Sequence, residues 1–199
     1  MSKKVILASA SPRRKELLGL AGVKFEVHVP DIDETPLPRE NAKKMVKRLS
    51  ELKSKEVWRN FLSPKQSALV IAADTTVVNG AGEILGKPAN SREAVEMVMS
   101  LQGRAHKVFT GYCILDIAKG EVKKCIVRAI ETKVYIQPMT LSDARAYVSR
   151  GESQDKAGAY AAQGVGMTII EKINGSYTNV VGLPVAEVMR DFKKLGWKS

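Results

Sequence analysis

A mixed α/β fold is what this sequence predicts, and three observations predict it. Strand and helix signals alternate along the 199 residues. Ala68–Val78 is a nearly continuous apolar run, the signature of a strand buried on both faces. Val108–Ile117 and Glu121–Ile136 alternate around a Lys119-Gly120 turn, as paired antiparallel strands do. Together these imply a mixed twisted sheet flanked by helices. No repeat or low-complexity linker divides the sequence, which suits one domain over 1–199, or two small lobes around a shared core.

The elements follow in order. Lys4–Ala8 reads as a short buried strand. Arg13–Leu20 is a helix with Leu17, Leu18 and Leu20 inward, Ser11 at its N-cap and Pro12 in the first helical position. Phe25–Val29 is a second strand. Arg39–Asn60 is a long amphipathic helix with Met45, Leu49 and Leu52 on one face. After the Ala68–Val78 strand, Gly80–Gly82 turns the chain and Ile84–Leu85 returns. Asn90 or Ser91 caps a helix through Leu101, and Asn90 and Glu93 have capping-box spacing. Thr140–Ser149 is a short capped helix, Met167–Lys172 a strand, and Pro184–Lys194 a closing helix with proline in its first turn.

Composition narrows the function classes. At 44% hydrophobic residues the chain can bury a core without disulfides or a structural metal. Its longest apolar runs are far too short to span a membrane. Residues 1–10, MSKKVILASA, place lysines before an apolar run as a signal peptide does. The run is short and leads into SPRR, so it reads as the first strand, and the expected compartment is the cytoplasm. Cys113 and Cys125 flank the hairpin turn and read as reduced thiols on adjacent strands. No His/Cys cluster has zinc spacing. The net charge of +11 admits nucleic acid, a membrane surface or a small anion as partner. Much of it lies in Arg39–Lys65, where it also suits a solvated helix face.

Three motifs carry chemistry. Ser9-Ala10-Ser11-Pro12-Arg13-Arg14 joins the first strand to its helix. A helix N-terminus offers free N–H groups and a positive dipole end; two hydroxyls and two guanidinium groups equip it to hold a phosphate chain. A capped helix with two surface arginines is the plainer alternative. Asp74, in Ala72-Ala73-Asp74-Thr75-Thr76, stands at the exit of the apolar strand, where α/β sheets bind ligands. It can bind a metal, activate water or serve as a turn former. Leu85-Gly86-Lys87-Pro88 presents Lys87 from a tight turn but is not a P-loop: three residues separate Gly82 from Gly86, and proline follows the lysine. Taken together, cationic clamps, backbone donors and a carboxylate are what phosphoryl hydrolysis needs. His28 and His106, in strand-like stretches, read as structural.

In order, the motifs resemble the Maf family: SASPRR (Ser9–Arg14), DIDET (Asp31–Thr35), RLSELKSKEV (Arg48–Val57), AADTTVV (Ala72–Val78), LGKP (Leu85–Pro88), HKVFTG (His106–Gly111), DKAGAYAAQG (Asp155–Gly164) and GSYTNVVGLPVAE (Gly175–Glu187). Ser50 and Ser54 replace the usual alanines, and YAAQG replaces YAIQG. The resemblance implies a mixed sheet with a central cleft, like that of the inosine triphosphate pyrophosphatases, and a homodimer. It implies hydrolysis of a nucleoside triphosphate to monophosphate and pyrophosphate with a divalent metal such as Mg²⁺ or Mn²⁺.

Carried over position by position, the family's catalytic residues fall on Asp74, the proton acceptor, with Lys53 and Lys87. Its metal ligands fall on Glu34 and Asp74, and its substrate contacts on Ser9, Ser11, Arg13, Arg14, Thr75 and Gln163. Asn179 and Gly182 would shape the cleft wall. Arg13, Thr75 and Gln163 match the branch acting on dTTP and UTP; the 7-methyl-GTP branch carries Trp, Gln and Glu there. An amide such as Gln163 can pair with both the O4 and N3–H of uracil or thymine, whereas a carboxylate only accepts. The alternatives kept open are the same reaction on another base, a sugar-nucleotide hydrolase or nucleotidyl transferase, and a cell-division regulator binding nucleic acid. No nucleic-acid motif or aromatic-rich basic patch supports the last, with aromatics at 6%.

Overall fold

The computed structural model describes residues 3–198, so Met1 and Ser2 of the opening decapeptide lie outside the described residues. The first apolar run forms strand β1 (Lys4–Ala8), followed by helix α1 (Pro12–Leu20), strand β2 (Phe25–His28) and helix α2 (Ala42–Phe61). The central apolar run is β3 (Ala68–Val78); β4 (Ile84–Leu85) turns back on its end. Helix α3 (Ser91–Leu101), the long strands β5 (Ala105–Ala118) and β6 (Glu121–Ile136), and helix α4 (Leu141–Val148) come next. Strand β7 (Ile170–Asn174) and helices α5 (Tyr177–Val181) and α6 (Val185–Lys194) close the chain. The strand order is β2-β1-β3-β5-β6-β7, with β4 against β3. The β1–β2 and β1–β3 pairs are parallel, and β3–β4 and β6–β7 antiparallel: a mixed sheet with helices, as the sequence predicts. Among the described residues no helix is long and apolar enough to cross a membrane.

The chain divides into two compact units. The first comprises the chain up to Asp74, Thr110–Ile130 and the chain from Gly182 onward; the second comprises Thr75–Phe109 and Glu131–Val181. In the first, Ile6, Ala8, Val57, Val70, Ala72, Cys113 and Leu115 share one apolar core. Its α2 presses on the backbone at Gly111, where a Cβ would lie 2.2 Å from the Val46 carbonyl oxygen, so only glycine fits. In the second, Val98, Leu101, Val108, Val134, Tyr147 and Tyr160 anchor the core. Asn179 is buried there, its Nδ2 donating to the Val108 carbonyl (3.2 Å) and to Thr132 Oγ1 (2.9 Å).

Several elements differ from the sequence expectation, each for a local reason. Leu20 is 79% exposed, because α1 turns inward only at Leu17 and Leu18. Ser11 occupies the N-cap position of α1, but its side chain makes no cap bond. Helix α2 begins at Ala42 rather than Arg39: Arg39 has φ 60, and Asn41 accepts from the Lys44 N–H instead. Leu52 is 41% exposed; the buried face runs through Met45, Leu49, Ser50, Lys53, Ser54 and Val57. Val29 lies beyond β2 and is exposed. Asn90 caps α3, but Glu93 reaches back to the Ala89 N–H, completing only half a box. Strand β5 does not alternate, since Val108–Ile117 is buried throughout. The strand expected at Met167–Lys172 begins at Ile170, because Gly164–Thr168 forms a 3-10 turn. Pro184 caps α6 from just outside it, and α5 had no sequence signal. Cys113 and Cys125, in contrast, are as the sequence predicts: free thiols, with their sulfurs 3.8 Å apart.

Candidate active site

The site starts from the way β1 ends. Its parallel pairing with β3 stops at Leu7–Ile71, so β3 continues alone on that side and carries Asp74 past the end of its neighbour. Asp74 therefore sits inside β3, not at its exit as the sequence suggested. It still occupies the C-terminal end of the parallel pair, where such sheets leave room for ligands. The same β1 end leads through Ser9 into α1, which brings the SASPRR turn to that edge.

Lys53 comes from the buried face of α2. Its Nζ lies 2.7 Å from Asp74 Oδ1 and 2.9 Å from Glu34 Oε1, so one ammonium group joins two carboxylates from separate segments. The Lys53 and Asp74 side chains are only 8% and 10% exposed, whereas Glu34 is largely open at 58%. A buried charge is tolerated only when paired and hydrogen-bonded, and here each buried partner satisfies the other. The sequence-predicted Glu34, Lys53 and Asp74 thus form a single cluster.

The turn before α1 supplies the cations. Ser9 is buried, and its Oγ accepts from the Ser11 N–H (3.2 Å) and from Arg14 Nη1 (3.4 Å). Arg14 Nε donates to the Gly182 carbonyl at 2.9 Å, so the NVVGLP motif fixes this guanidinium. Burial lowers the Arg14 pKa; the negative charge of Asp74 opposes that, Arg13 reinforces it, and Glu34 opposes it again. Arg14 thus lies within electrostatic reach of the carboxylate pair. Arg13 and Ser11 are half-buried on the same turn. The segment after Glu34 is held by a clamp with no local sequence signal. Arg48 donates from Nε and Nη2 to Glu40 (2.7 and 2.6 Å) and from Nη2 to the Thr35 carbonyl (3.1 Å), pinning the residue after Glu34. Glu40 and Arg48 are eight residues apart across a helix start, a spacing that no helical or strand period marks.

Thr75, Lys87 and Gln163 belong to the second unit. Thr75 is half-buried and next to Asp74 in β3. Lys87 is exposed and makes no ion pair among the described residues. Its turn is held from behind, where the Gly158 N–H donates to the Gly86 carbonyl at 3.0 Å. Gly158 has φ 70 and packs its α-carbon on Val77, a position that suits glycine. Gln163 is half-buried at the N-cap of the Gly164–Thr168 turn, and its side chain does not cap that turn. The amide is therefore not committed to the backbone it precedes.

The two histidines keep structural roles. His28 packs on Phe61 with ring centroids 4.6 Å apart. His106 Nε2 and the Tyr160 hydroxyl are 2.7 Å apart, both side chains buried, and His106 Nδ1 has no partner among the described residues. Burial pushes the His106 imidazole down to about 4.

Comparison with known proteins follows the same lines. A family model described as Maf-like protein matches residues 4–195. A dTTP/UTP pyrophosphatase from Geobacter metallireducens is 45% identical over 195 residues, 98% of this chain and 97% of that protein. Proteins of the same description from Geobacter sulfurreducens (42%, covering 97% of both chains) and Syntrophus aciditrophicus (44%, covering 98% of this chain and 92% of that one) match as fully. Among solved structures, a Mycobacterium abscessus nucleoside-triphosphatase, a dITP/XTP pyrophosphatase, gives a TM-score of 0.45 at 12% identity, over 97% of both chains. The Staphylococcus aureus Ham1 protein gives 0.48 at 14%, over 95% of this chain and all of that one. Likeness at that level has no bearing on function.

Proposed function

The chain belongs to the Maf family, and from that premise we propose that it hydrolyses dTTP and UTP to the monophosphate and pyrophosphate. The observation that carries this reading is the Glu34–Lys53–Asp74 cluster beside the Arg14–Ser9 turn. Lys53 engages Oδ1 of Asp74, which orients the carboxylate and leaves Oδ2 to accept a proton from water. That water attacks the α-phosphorus. The bond from the α-phosphorus to the bridging oxygen breaks, and pyrophosphate departs with the electron pair. Arg13, Arg14, Lys53 and Lys87, with the N–H groups at the start of α1, bind the phosphate chain and stabilise its growing charge. Ser9 and Ser11 complete that turn.

Lys53 draws the Glu34 and Asp74 carboxylates together, and among the described residues no cluster of three His, Cys, Asp or Glu forms. Two carboxylates with the remaining positions left to water and substrate phosphates suit Mg²⁺ or Mn²⁺ better than a cation caged by protein alone. A cation held by Glu34 and Asp74 would neutralise phosphate charge there. Gln163 reads the pyrimidine edge, and Thr75 leaves room beside Asp74. A cytoplasmic location suits an enzyme of free nucleotides, and the family resemblance supports a homodimer.

The test is pyrophosphate release from dTTP, UTP, CTP, GTP and 7-methyl-GTP, with and without Mg²⁺ or Mn²⁺. We expect dTTP and UTP to lead in kcat/KM, only with metal, and Gln163→Glu to lower both. A lead for 7-methyl-GTP would refute the base assignment. In ¹⁸O water the label should enter the monophosphate; label only in inorganic phosphate means attack at the γ-phosphorus and overturns the reaction.

A further inference from the structure

We propose that Glu152 is the positioning residue that fixes Gln163 for base selection, an inference that rests on the reading of Gln163 above. Glu152 follows α4 and Gly151, which has φ 82 and turns the chain. Its carboxylate spans the start of the 3-10 turn. Oε1 accepts from the Val165 N–H at 2.9 Å and Oε2 from the Gly166 N–H at 3.1 Å. These are the orphan donors that a capping side chain at Gln163 would normally satisfy. Glu152, reaching from 11 residues upstream, satisfies them instead, and the Gln163 amide is released from that duty.

The sequence around Gln163 is shaped to admit this carboxylate. Gly164 has φ 66, and a Cβ there would lie 2.1 Å from Glu152 Oε1. At Gly166 a Cβ would lie 1.7 Å from the Ala161 carbonyl oxygen, so the loop closes on itself across Gln163. The upstream arm is tied as well. The Ala161 N–H donates to Tyr147 Oη at 3.2 Å, and Tyr177 Oη donates to the Ala162 carbonyl at 3.4 Å. Gln163 is therefore carried at the apex of a loop gripped on both arms. Both contacts on the downstream arm are charge-assisted and come from one side chain. Discrimination by hydrogen bonds needs donor and acceptor held in fixed directions, because a side chain free to re-aim can satisfy the wrong base too.

Glu152 touches no reacting atom, so its loss should change selectivity and KM more than turnover. The decisive measurement is kcat and KM for dTTP and CTP on wild type, Glu152→Gln, Gln163→Ala and the double variant. Glu152→Gln keeps the volume but leaves only one oxygen for two N–H groups. We expect it to lower the dTTP-over-CTP ratio of kcat/KM by roughly tenfold, through KM. In the double variant the ratio should match that of Gln163→Ala alone, since both changes remove one unit. Gly164→Ala pushes on the same carboxylate with Glu152 intact and should reproduce the loss, which keeps the test open if Glu152→Gln folds poorly. If Gln163→Ala collapses the ratio while Glu152→Gln and Gly164→Ala leave it intact, Glu152 has no positioning role and the Gln163 reading survives. If Gln163→Ala leaves the ratio unchanged, the Gln163 reading itself fails and this inference goes with it. An equal fall in kcat for both substrates with a lower Tm would make Glu152 a structural cap only.

Discussion

In the first unit the candidate residues are engaged with one another: Lys53 holds Asp74 and Glu34, and Arg14 holds Ser9 and Gly182. In the second unit Lys87 is exposed on a turn held from behind, and Gln163 sits on a loop gripped by other residues. The difference lies in where rigidity comes from. The first unit fixes its chemical groups by pairing them, so the same contacts serve folding and reaction. The second fixes the backbone that carries Lys87 and Gln163 through other residues. Substitutions should therefore couple stability to activity in the first unit and separate them in the second.

The largest expected effect is at Asp74. Asp74→Asn should lower the single-turnover rate by roughly 10²–10⁴-fold, with nucleotide affinity nearly unchanged because the cations remain. A variant that keeps more than about a tenth of the rate removes Asp74 as the base. Next comes Lys87→Ala, with a loss of about 10²–10³ in kcat and no change in Tm; a fall in Tm would break the contrast between the units. Lys53→Met should lose activity and stability together. Removing one partner of a buried pair costs on the order of 3 kcal/mol, which at about 2–4 °C per kcal/mol for a chain of this size is a Tm drop of roughly 6–12 °C. Calorimetry of Lys53→Met beside Lys87→Ala reads the comparison directly.

The effects that leave turnover untouched concern groups outside the chemistry. His106 titrates at about 4 in the folded chain, against 6.5 for an unperturbed imidazole. Below pH 6.5 the unfolded chain takes up a proton that the folded chain refuses. The stability contribution is therefore complete above pH 6.5 and declines as pH falls toward about 4, by no more than about 3 kcal/mol. Urea titrations across that window should show the slope, and His106→Gln should flatten it. Cys125, exposed and held down to about 7 by the hydrogen bond from the Cys113 thiol, should react with a thiol reagent well before buried Cys113 does.

Much of this was legible in the sequence. A nearly unbroken apolar run marks β3 because burial on both faces favours apolar side chains, and the motifs pointed to Asp74, Lys53 and Arg14 through family resemblance. What stayed hidden was tertiary. Hydrophobic patterning put Leu52 on the inner face of α2, but that face carries Ser50, Lys53 and Ser54, and a lysine is buried only because Asp74 waits 21 residues on. The strand expected from Met167 gives way to a 3-10 turn, because a carboxylate at Glu152 meets the N–H groups of Val165 and Gly166. No local propensity encodes either partner, and the Arg48–Glu40 clamp escaped for the same reason.

The bond from Arg14 to the Gly182 carbonyl spans 168 residues of sequence. A ribosome delivers Arg14 well before Gly182, so the guanidinium lacks this anchor until the intervening chain has been made. Contacts of such separation form late in folding, after shorter loops have closed. A growing polypeptide therefore holds its phosphate-binding turn unfinished while surrounded by the cell's nucleotides. Competence to turn them over arrives only once the Gly182 segment has emerged, and a product truncated before Gly182 should be inert toward those nucleotides.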